Sequence, residues 1–359
     1  MAIELYDYIV EQPIVLKKIL ENSKRMTGDF VEILAGEKIS RIVLAGSGSS
    51  YNAAYSAKYF MQKVLNMQVD VQAAHTFTAY ENILGPETLV VGISQSGEST
   101  AAVNSIRKAN EQGVASIAVT SEDGSYITEH AKYKMIVPSG EEEAGATTKG
   151  YTATVLAFYL AALEAARRLN RVDDAQYQKY VEGITKTIEA IPAAIRKADE
   201  WYEKNRQQLV EAKTLIVSGY GSNYGTALEA GLKFLETSRF PVSVYELEEF
   251  MHGPYNAIDA ESYIFFIVPE GVGKERALRL NEYFSGKTEH SFMVIKDDGS
   301  GDDKNIRVPF HEDTDFTPLE YIVPLQVLFY RLAKDKGVEL RTVRYPDFHR
   351  FMNSKRRFE

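Results

Sequence analysis

Residues 88–100 read Thr-Leu-Val-Val-Gly-Ile-Ser-Gln-Ser-Gly-Glu-Ser-Thr, an apolar run from Thr88 to Ile93 that breaks abruptly into a hydroxyl-rich loop, Ser94 to Thr100. A buried strand followed by such a loop, with a helix starting near Ser99, turns the helix's unpaired N–H groups and positive dipole end toward whatever occupies the loop. Gly97 permits the tight backbone that this turn needs. Neither G-x-x-x-x-G-K-[ST] nor a well-placed G-x-G-x-x-G is present, so the loop suits a small phosphorylated metabolite better than a nucleotide. Capping of a helix by serine would explain one such loop taken alone.

A second loop of the same kind, Gly46 to Asn52, follows the strand-like run Arg41 to Ala45 and leads into a helical stretch, Tyr51 to Leu65. A third, Ala146 to Gly150, precedes the long apolar helix Tyr151 to Leu169. In a parallel sheet, loops that leave the strands open at the carboxyl edge, where open α/β sheets bind ligands. Three loops directed to one crevice go beyond capping.

Short β-rich runs alternate with helical ones along the whole chain, the pattern of a parallel sheet covered by helices on both faces. The first half gives strands near Arg41 to Ala45, Val69 to Ala73, Thr88 to Ile93, Val114 to Val119 and Lys134 to Val137. The second half repeats the order near Thr214 to Ser218, Val242 to Glu246, Tyr263 to Val268, Ser291 to Lys296 and Ile306 to Val308. Each half closes on a long helix, Tyr151 to Leu169 and Leu319 to Lys336, so the chain reads as a tandem duplication. The expected organisation is a helical segment over 1–35, a first α/β domain over 36–171 and a helical connection over 172–213 that holds Trp201. A second α/β domain over 214–340 and a tail over 341–359 follow. The copies are not equivalent: the loop after the third strand of copy two, Pro269 to Gly273, has an acid and no hydroxyl, which predicts loss of phosphate binding there.

With 359 residues, 45% of them hydrophobic and 25% charged, the chain can bury two ordinary cores. Its formal net charge of −9 argues against nucleic-acid binding, which draws on clustered Lys and Arg. The absence of cysteine excludes disulfides and thiolate chemistry. None of the six histidines falls in an H-x-x-x-H pair, so neither a metal nor another cofactor is expected. Glu4, Asp7 and Glu11 interrupt the apolar residues of the first twenty, so no signal peptide or membrane span is expected and the reading is cytoplasmic.

Two groups could move protons. Glu236 ends an otherwise apolar helical stretch in which Glu229 and Lys233 precede it, and His252 stands in a loop before Gly253-Pro254. A carboxylate and an imidazole are a natural pair for shifting a proton between adjacent carbons of a sugar and opening its ring. By spacing alone, a helical glutamate is more often a solvated charge and a lone loop histidine more often structural. The acidic runs Glu141 to Glu143 and Glu246, Glu248 and Glu249 could meet an ammonium group or be solvated surface.

These residues carry a resemblance. Gly46 to Asn52, Ser94 to Thr100, Gly145 to Thr152, Ala227 to Glu236 and His252-Gly253-Pro254 together resemble the sugar isomerase (SIS) domain family, in the tandem arrangement of the isomerase half of glucosamine-fructose-6-phosphate aminotransferase. The resemblance implies two tandem SIS domains, each a five-stranded parallel sheet flanked by helices. It implies that Ser49, Ser50, Ser94, Gln95, Ser96 and Ser99 hold a sugar phosphate and that Gly48, Gly145 and Ala146 contact the sugar. It makes Glu236 the base between C1 and C2, and His252, reaching in from a neighbouring subunit of a homodimer, the aid to ring opening. Lys355 is the nearest counterpart of a tail lysine, although the preceding Tyr345 to Phe351 does not match.

No cysteine-initiated glutaminase unit precedes the isomerase-like region, so ammonia transfer from glutamine is not expected. Tandem proteins of this size resemble the fructosamine 6-phosphate deglycases, which makes an enzyme releasing an aldose 6-phosphate and an amine the leading expectation. An amino-sugar phosphate isomerase or deaminase, a ketose-aldose isomerase, and a non-catalytic sugar-phosphate-binding regulator are the alternatives.

Overall fold

The computed structural model of the chain describes residues 3–143 and 145–356. Three helices open it, α1 (Leu5–Glu21), α2 (Ser23–Met26) and α3 (Gly28–Gly36). The first α/β copy runs β1 (Arg41–Gly46), α4 (Ser49–Leu65), β2 (Gln68–Ala73), α5 (Ala74–Tyr80), β3 (Thr88–Ile93), α6 (Thr100–Glu111), β4 (Ala115–Thr120), α7 (Tyr126–Glu129), β5 (Tyr133–Ile136) and α8 (Lys149–Arg168). A single long helix, α9 (Asp174–Glu211), connects it to β6 (Leu215–Gly219), α10 (Ser222–Ser238), β7 (Val242–Glu246), β8 (Ile264–Val268), α11 (Lys274–Ser285), β9 (Ser291–Lys296), β10 (Ile306–Val308) and α12 (Thr317–Asp335). The tail carries one short turn of helix, α13 (Phe348–Phe351).

The chain packs as two compact units. One holds Ile14–Glu141, Lys149–Val181 and Val343–Glu359, the other Met1–Pro13, Glu142–Thr148 and Glu182–Thr342. Packing therefore crosses chain order: the 142–148 loop clusters with the second sheet and the tail with the first.

In the first unit the sheet order is β2-β1-β3-β4-β5, with every pair parallel. All six residues of β3 are buried, as its unbroken apolar run requires of a strand covered on both faces. Because β1 pairs with both β2 and β3, the strand order reverses between β1 and β3. The two loops that leave those strands, Ser47–Gly48 and Ser94–Ser99, frame the point at which this class of sheet opens a ligand crevice.

The second unit repeats this order as β7-β6-β8-β9-β10, again all parallel. The repetition extends to the backbone. Gly48 before α4 has φ 55° and ψ −131°, Gly221 before α10 has φ 55° and ψ −135°, and both helices are 17 residues long and end on a left-handed residue, Asn66 or Arg239. What differs is the opening between β6 and β8. There Tyr220 donates its hydroxyl hydrogen bond to the carbonyl of Pro269, and its ring packs so closely on Gly273 that a Cβ at that glycine would lie 2.5 Å away. An aromatic side chain spans the two loops that in the first unit are small and hydroxyl-bearing.

Glu320, on α12 and 1% exposed, accepts the backbone N–H groups of His311 at 2.7 Å and Glu312 at 2.9 Å. Burial pushes its carboxyl up to about 7 against those hydrogen bonds. The folded state then holds the proton more tightly than the unfolded chain. The contribution is complete below the unfolded value and is lost as pH rises through about 7, amounting to about 3 kcal/mol at most. Glu320→Gln is expected to flatten the pH dependence of stability between pH 5 and 7, as read from urea unfolding midpoints across that range.

Candidate active site

The Ser94–Thr100 loop is held in shape by its own backbone. Gly97 N–H donates to Ser94 O at 2.9 Å, Ser99 N–H donates to Ser94 Oγ at 3.2 Å, and Ser99 Oγ accepts Ala102 N–H at 3.5 Å as the N-cap of α6. Capping and ligand binding are thus compatible uses of the serines: Ser94 and Ser99 shape the loop, while the backbone N–H groups of Gln95, Ser96 and Glu98 have no acceptor among the described residues. Three such donors beside a helix N-terminus form an anion-binding arrangement.

The rest of the loop is pinned from below. The Gln95 carbonyl accepts hydrogen bonds from Ser121 N–H, Ser121 Oγ and Thr120 Oγ1, and its side-chain amide lies so close to Gly150 at the start of α8 that any Cβ there would overlap it. Gly97 has φ +71°, and a Cβ on it would stand 1.9 Å from Ser125 Oγ. Gly97→Ala combines a left-handed alanine with that overlap. It is expected to cost roughly 1–3 kcal/mol and to weaken phosphate binding at the loop, checked by thermal melts and by titration with glucose 6-phosphate.

Ser49 and Ser50 stand half-buried at the start of α4, directly after Gly48, on the neighbouring loop of the same unit. Lys355 comes to this unit from the far end of the chain. Its backbone forms an antiparallel bridge with Ser99, so its neighbourhood is the phosphate-type loop despite the poor sequence match around it.

Glu236, Gly145, Ala146 and His252 belong to the other unit. Glu236 is exposed but ion-paired. Its Oε2 accepts a 2.7 Å hydrogen bond and ion pair from Lys233 Nζ, its Oε1 has no partner among the described residues, and its side chain is 38% exposed. Lys233 is 4% exposed and also lies 3.9 Å from the fully buried Glu229. Burial works to lower the Lys233 pKa, but Glu229, Glu236 and Glu142 outweigh it and hold the ammonium above the ordinary lysine range. The sequence alone gives this lysine a place between Glu229 and Glu236 but no role. The signal was there in Glu229, Lys233 and Glu236 at i, i+4 and i+7, a spacing that stacks them on one face of α10.

Glu142, from the 142–148 loop, accepts both the backbone N–H and the hydroxyl of Thr148 through Oε2, each at 2.7 Å. The Thr148 hydroxyl is therefore committed to Glu142 and is not an open donor for a crevice in the first unit. Gly145 has φ +86°, and a Cβ on it would be 2.0 Å from the carbonyl of Leu340, so only glycine permits that approach. Ala146 beside it is buried. His252 follows the 3-10 turn Glu249–Met251, its backbone N–H bonded to Glu249 O at 3.0 Å. Its side chain is exposed, with no hydrogen bond among the described residues to Glu236 or any other group.

Two parallel sheets of the same switch-point order, one with an anion-ready loop and the other with an ion-paired carboxylate on its first helix, define a duplicated α/β ligand-binding protein. The chain belongs to the SIS domain family, whose pattern matches residues 33–164 and 208–295. A protein from Clostridium difficile 630, provisionally assigned as a phosphosugar isomerase, has a solved structure with TM-score 0.91 and 30% identity, each chain covering 99% of the other. A sugar-binding protein, also provisionally assigned, from Salmonella typhimurium LT2 aligns with TM-score 0.82 and 31% identity over 90% of this chain and 98% of its own. The glutamine--fructose-6-phosphate aminotransferase [isomerizing] of Pyrococcus horikoshii is 30% identical over 337 residues, 92% of this chain and 54% of its own length. The chain spans about half the length of the curated relatives it matches. No helix among the described residues is long and apolar enough to cross a membrane.

Proposed function

We propose that this SIS protein is a phosphosugar-processing enzyme, most specifically a deglycase that splits an N-substituted 1-amino-fructose 6-phosphate into an aldose 6-phosphate and a free amine. The observation that carries the reading is Glu236: a carboxylate with one oxygen fixed by a buried cationic lysine and the other without a partner among the described residues, as a general base requires. In this scheme Ser49, Ser50, Ser94, Gln95, Ser96 and Ser99 hold the phosphate, with the N–H groups of the Ser94–Thr100 loop as principal donors.

Once the ring is open, Glu236 removes a proton from C1 and returns it at C2. A second proton passes from the amine N–H to the C2 oxygen, so the C1–N bond becomes an imine and the C2 ketone an alcohol. Water then adds to the imine carbon, and collapse of the carbinolamine releases the amine and leaves the aldehyde of the aldose. Lys233 holds Glu236 in orientation through its 2.7 Å hydrogen bond. The acidic residues Glu246, Glu248 and Glu249 suit a substrate whose amine belongs to a cationic amino acid such as lysine.

Release of glucose 6-phosphate from fructoselysine 6-phosphate, followed with a coupled dehydrogenase, tests the proposal. An isomerase or deaminase would instead turn over the free ketose or amino-sugar phosphate, and a regulator would bind without exchanging a substrate C–H with deuterated water. The exposed position of His252 supports service to a neighbouring subunit of a homodimer. Mixing inactive Glu236→Gln and His252→Ala subunits is expected to recover activity that neither shows alone, and no recovery would place His252 in its own subunit's chemistry.

A further inference from the structure

The last described residues of the chain lie along the phosphate-type loop. Beyond the Ser99–Lys355 bridge, Thr100 N–H donates to Ser354 O at 3.3 Å, Thr100 Oγ1 to Asn353 O at 3.0 Å, and Arg356 N–H to Glu98 O at 3.2 Å. From Arg341 to Phe348 the approach is exposed, so attachment of the tail to this unit concentrates at its end.

The side chain that closes the contact is Arg356. Its guanidinium lies 4.3 Å over the ring of Tyr126, and its Nη1 is 2.9 Å from Glu129 Oε2. Both partners sit on α7, which is itself tied to the loop: Ile127 N–H donates to Gly97 O at 2.9 Å and Tyr126 N–H to Glu98 Oε1 at 3.5 Å. Arg107 supports the ring from its other end by donating to the Tyr126 hydroxyl at 2.8 Å. Loop, α7 and tail thus form a closed circuit of contacts in which, among the described residues, the Arg356 side chain joins tail to α7.

We propose that Arg356 is a latch, a positioning residue that holds the tail across the Ser94–Thr100 loop so that tail docking and sugar-phosphate binding at that loop strengthen each other. The proposal rests on the phosphosugar reading above. Its physical basis is that the tail takes up the Thr100 N–H at the start of α6 and fixes Glu98, Ser99 and Thr100, leaving the donors at Gln95, Ser96 and Glu98 presented in one geometry. Binding to an already ordered loop no longer has to order it, and linkage makes the effect reciprocal.

Glucose 6-phosphate is the probe. Arg356→Ala is expected to raise its dissociation constant about three- to tenfold, as loss of one cation–π contact and one exposed ion pair would. Arg356→Lys, which keeps both contacts in weaker form, should recover most of the affinity. Glu129→Gln leaves the tail sequence untouched. It should speed tryptic cleavage after Lys355, and glucose 6-phosphate should slow that cleavage in the wild-type protein by the same factor by which the docked tail tightens binding. Wild-type affinity in Arg356→Ala, or a cleavage rate that glucose 6-phosphate does not change while it binds, would overturn the latch and leave the phosphosugar reading standing. A wild-type protein that binds no sugar phosphate would remove that reading, and the latch with it.

Discussion

Glu236→Gln is expected to lower kcat by about 10²- to 10⁴-fold while leaving the dissociation constant for glucose 6-phosphate within a factor of about two, because an amide keeps the shape and one acceptor oxygen but cannot take a proton. The partner of that oxygen makes the variant a clean test. Lys233 Nζ can still donate to the amide carbonyl over the present 2.7 Å, so the helix should retain its packing. Steady-state release of aldose 6-phosphate, with calorimetric titration alongside, separates the two terms. Retained turnover would move the proton transfer to another group and sink the proposed role of Glu236.

Lys233→Met is expected to be the more damaging change to the fold. The side chain is 4% exposed and stands between Glu229, 1% exposed, and Glu236. The substitution takes away the ammonium that stands 3.9 Å from the buried Glu229 carboxylate, a change that costs roughly 3–5 kcal/mol where a buried pair is broken from one side. Urea unfolding of the variant at pH 7 should show the loss, and activity should fall with it because Glu236 would no longer be oriented. The Lys233 pKa is raised in the folded protein, so the stabilisation is complete below the ordinary lysine value and disappears as pH rises through the folded one. Wild-type stability should therefore fall in the alkaline range above the lysine pKa, and the variant should lack that fall.

Most of the fold was legible because it is written in local patterns. The predicted strand Thr88 to Ile93 coincides with β3, and the predicted Ser291 to Lys296 and Ile306 to Val308 coincide with β9 and β10. Runs buried on both faces have nowhere else to go in an α/β sheet. The short helices α5 and α7 were missed, since one or two turns carry too few residues for a 3.6-residue period to show. The candidate site was legible only where its chemistry is local. Ser94 to Thr100 could be read as an anion loop from its glycine, its hydroxyls and the helix that follows.

What the chain order could not disclose is which distant segments meet. A one-dimensional reading predicts Lys355 as a surface lysine as readily as a site residue, and nothing near it in sequence announces Ser99 as its partner 256 positions away. Thr148 looked like another free hydroxyl, and only folding shows it bonded to Glu142. The amino-acid sequence by itself determined the duplicated α/β architecture and the hydroxyl-rich turn between strand and helix at Ser94 to Thr100, because periodicity, turn chemistry and residue type act over a few residues. The tertiary structure alone decided that Lys233 is a buried cation holding Glu236, that Tyr220 spans the opening of the second sheet, and that the tail lies on the loop. Desolvation, ion pairing and strand bridging depend on distance in space, which separation along the chain does not encode.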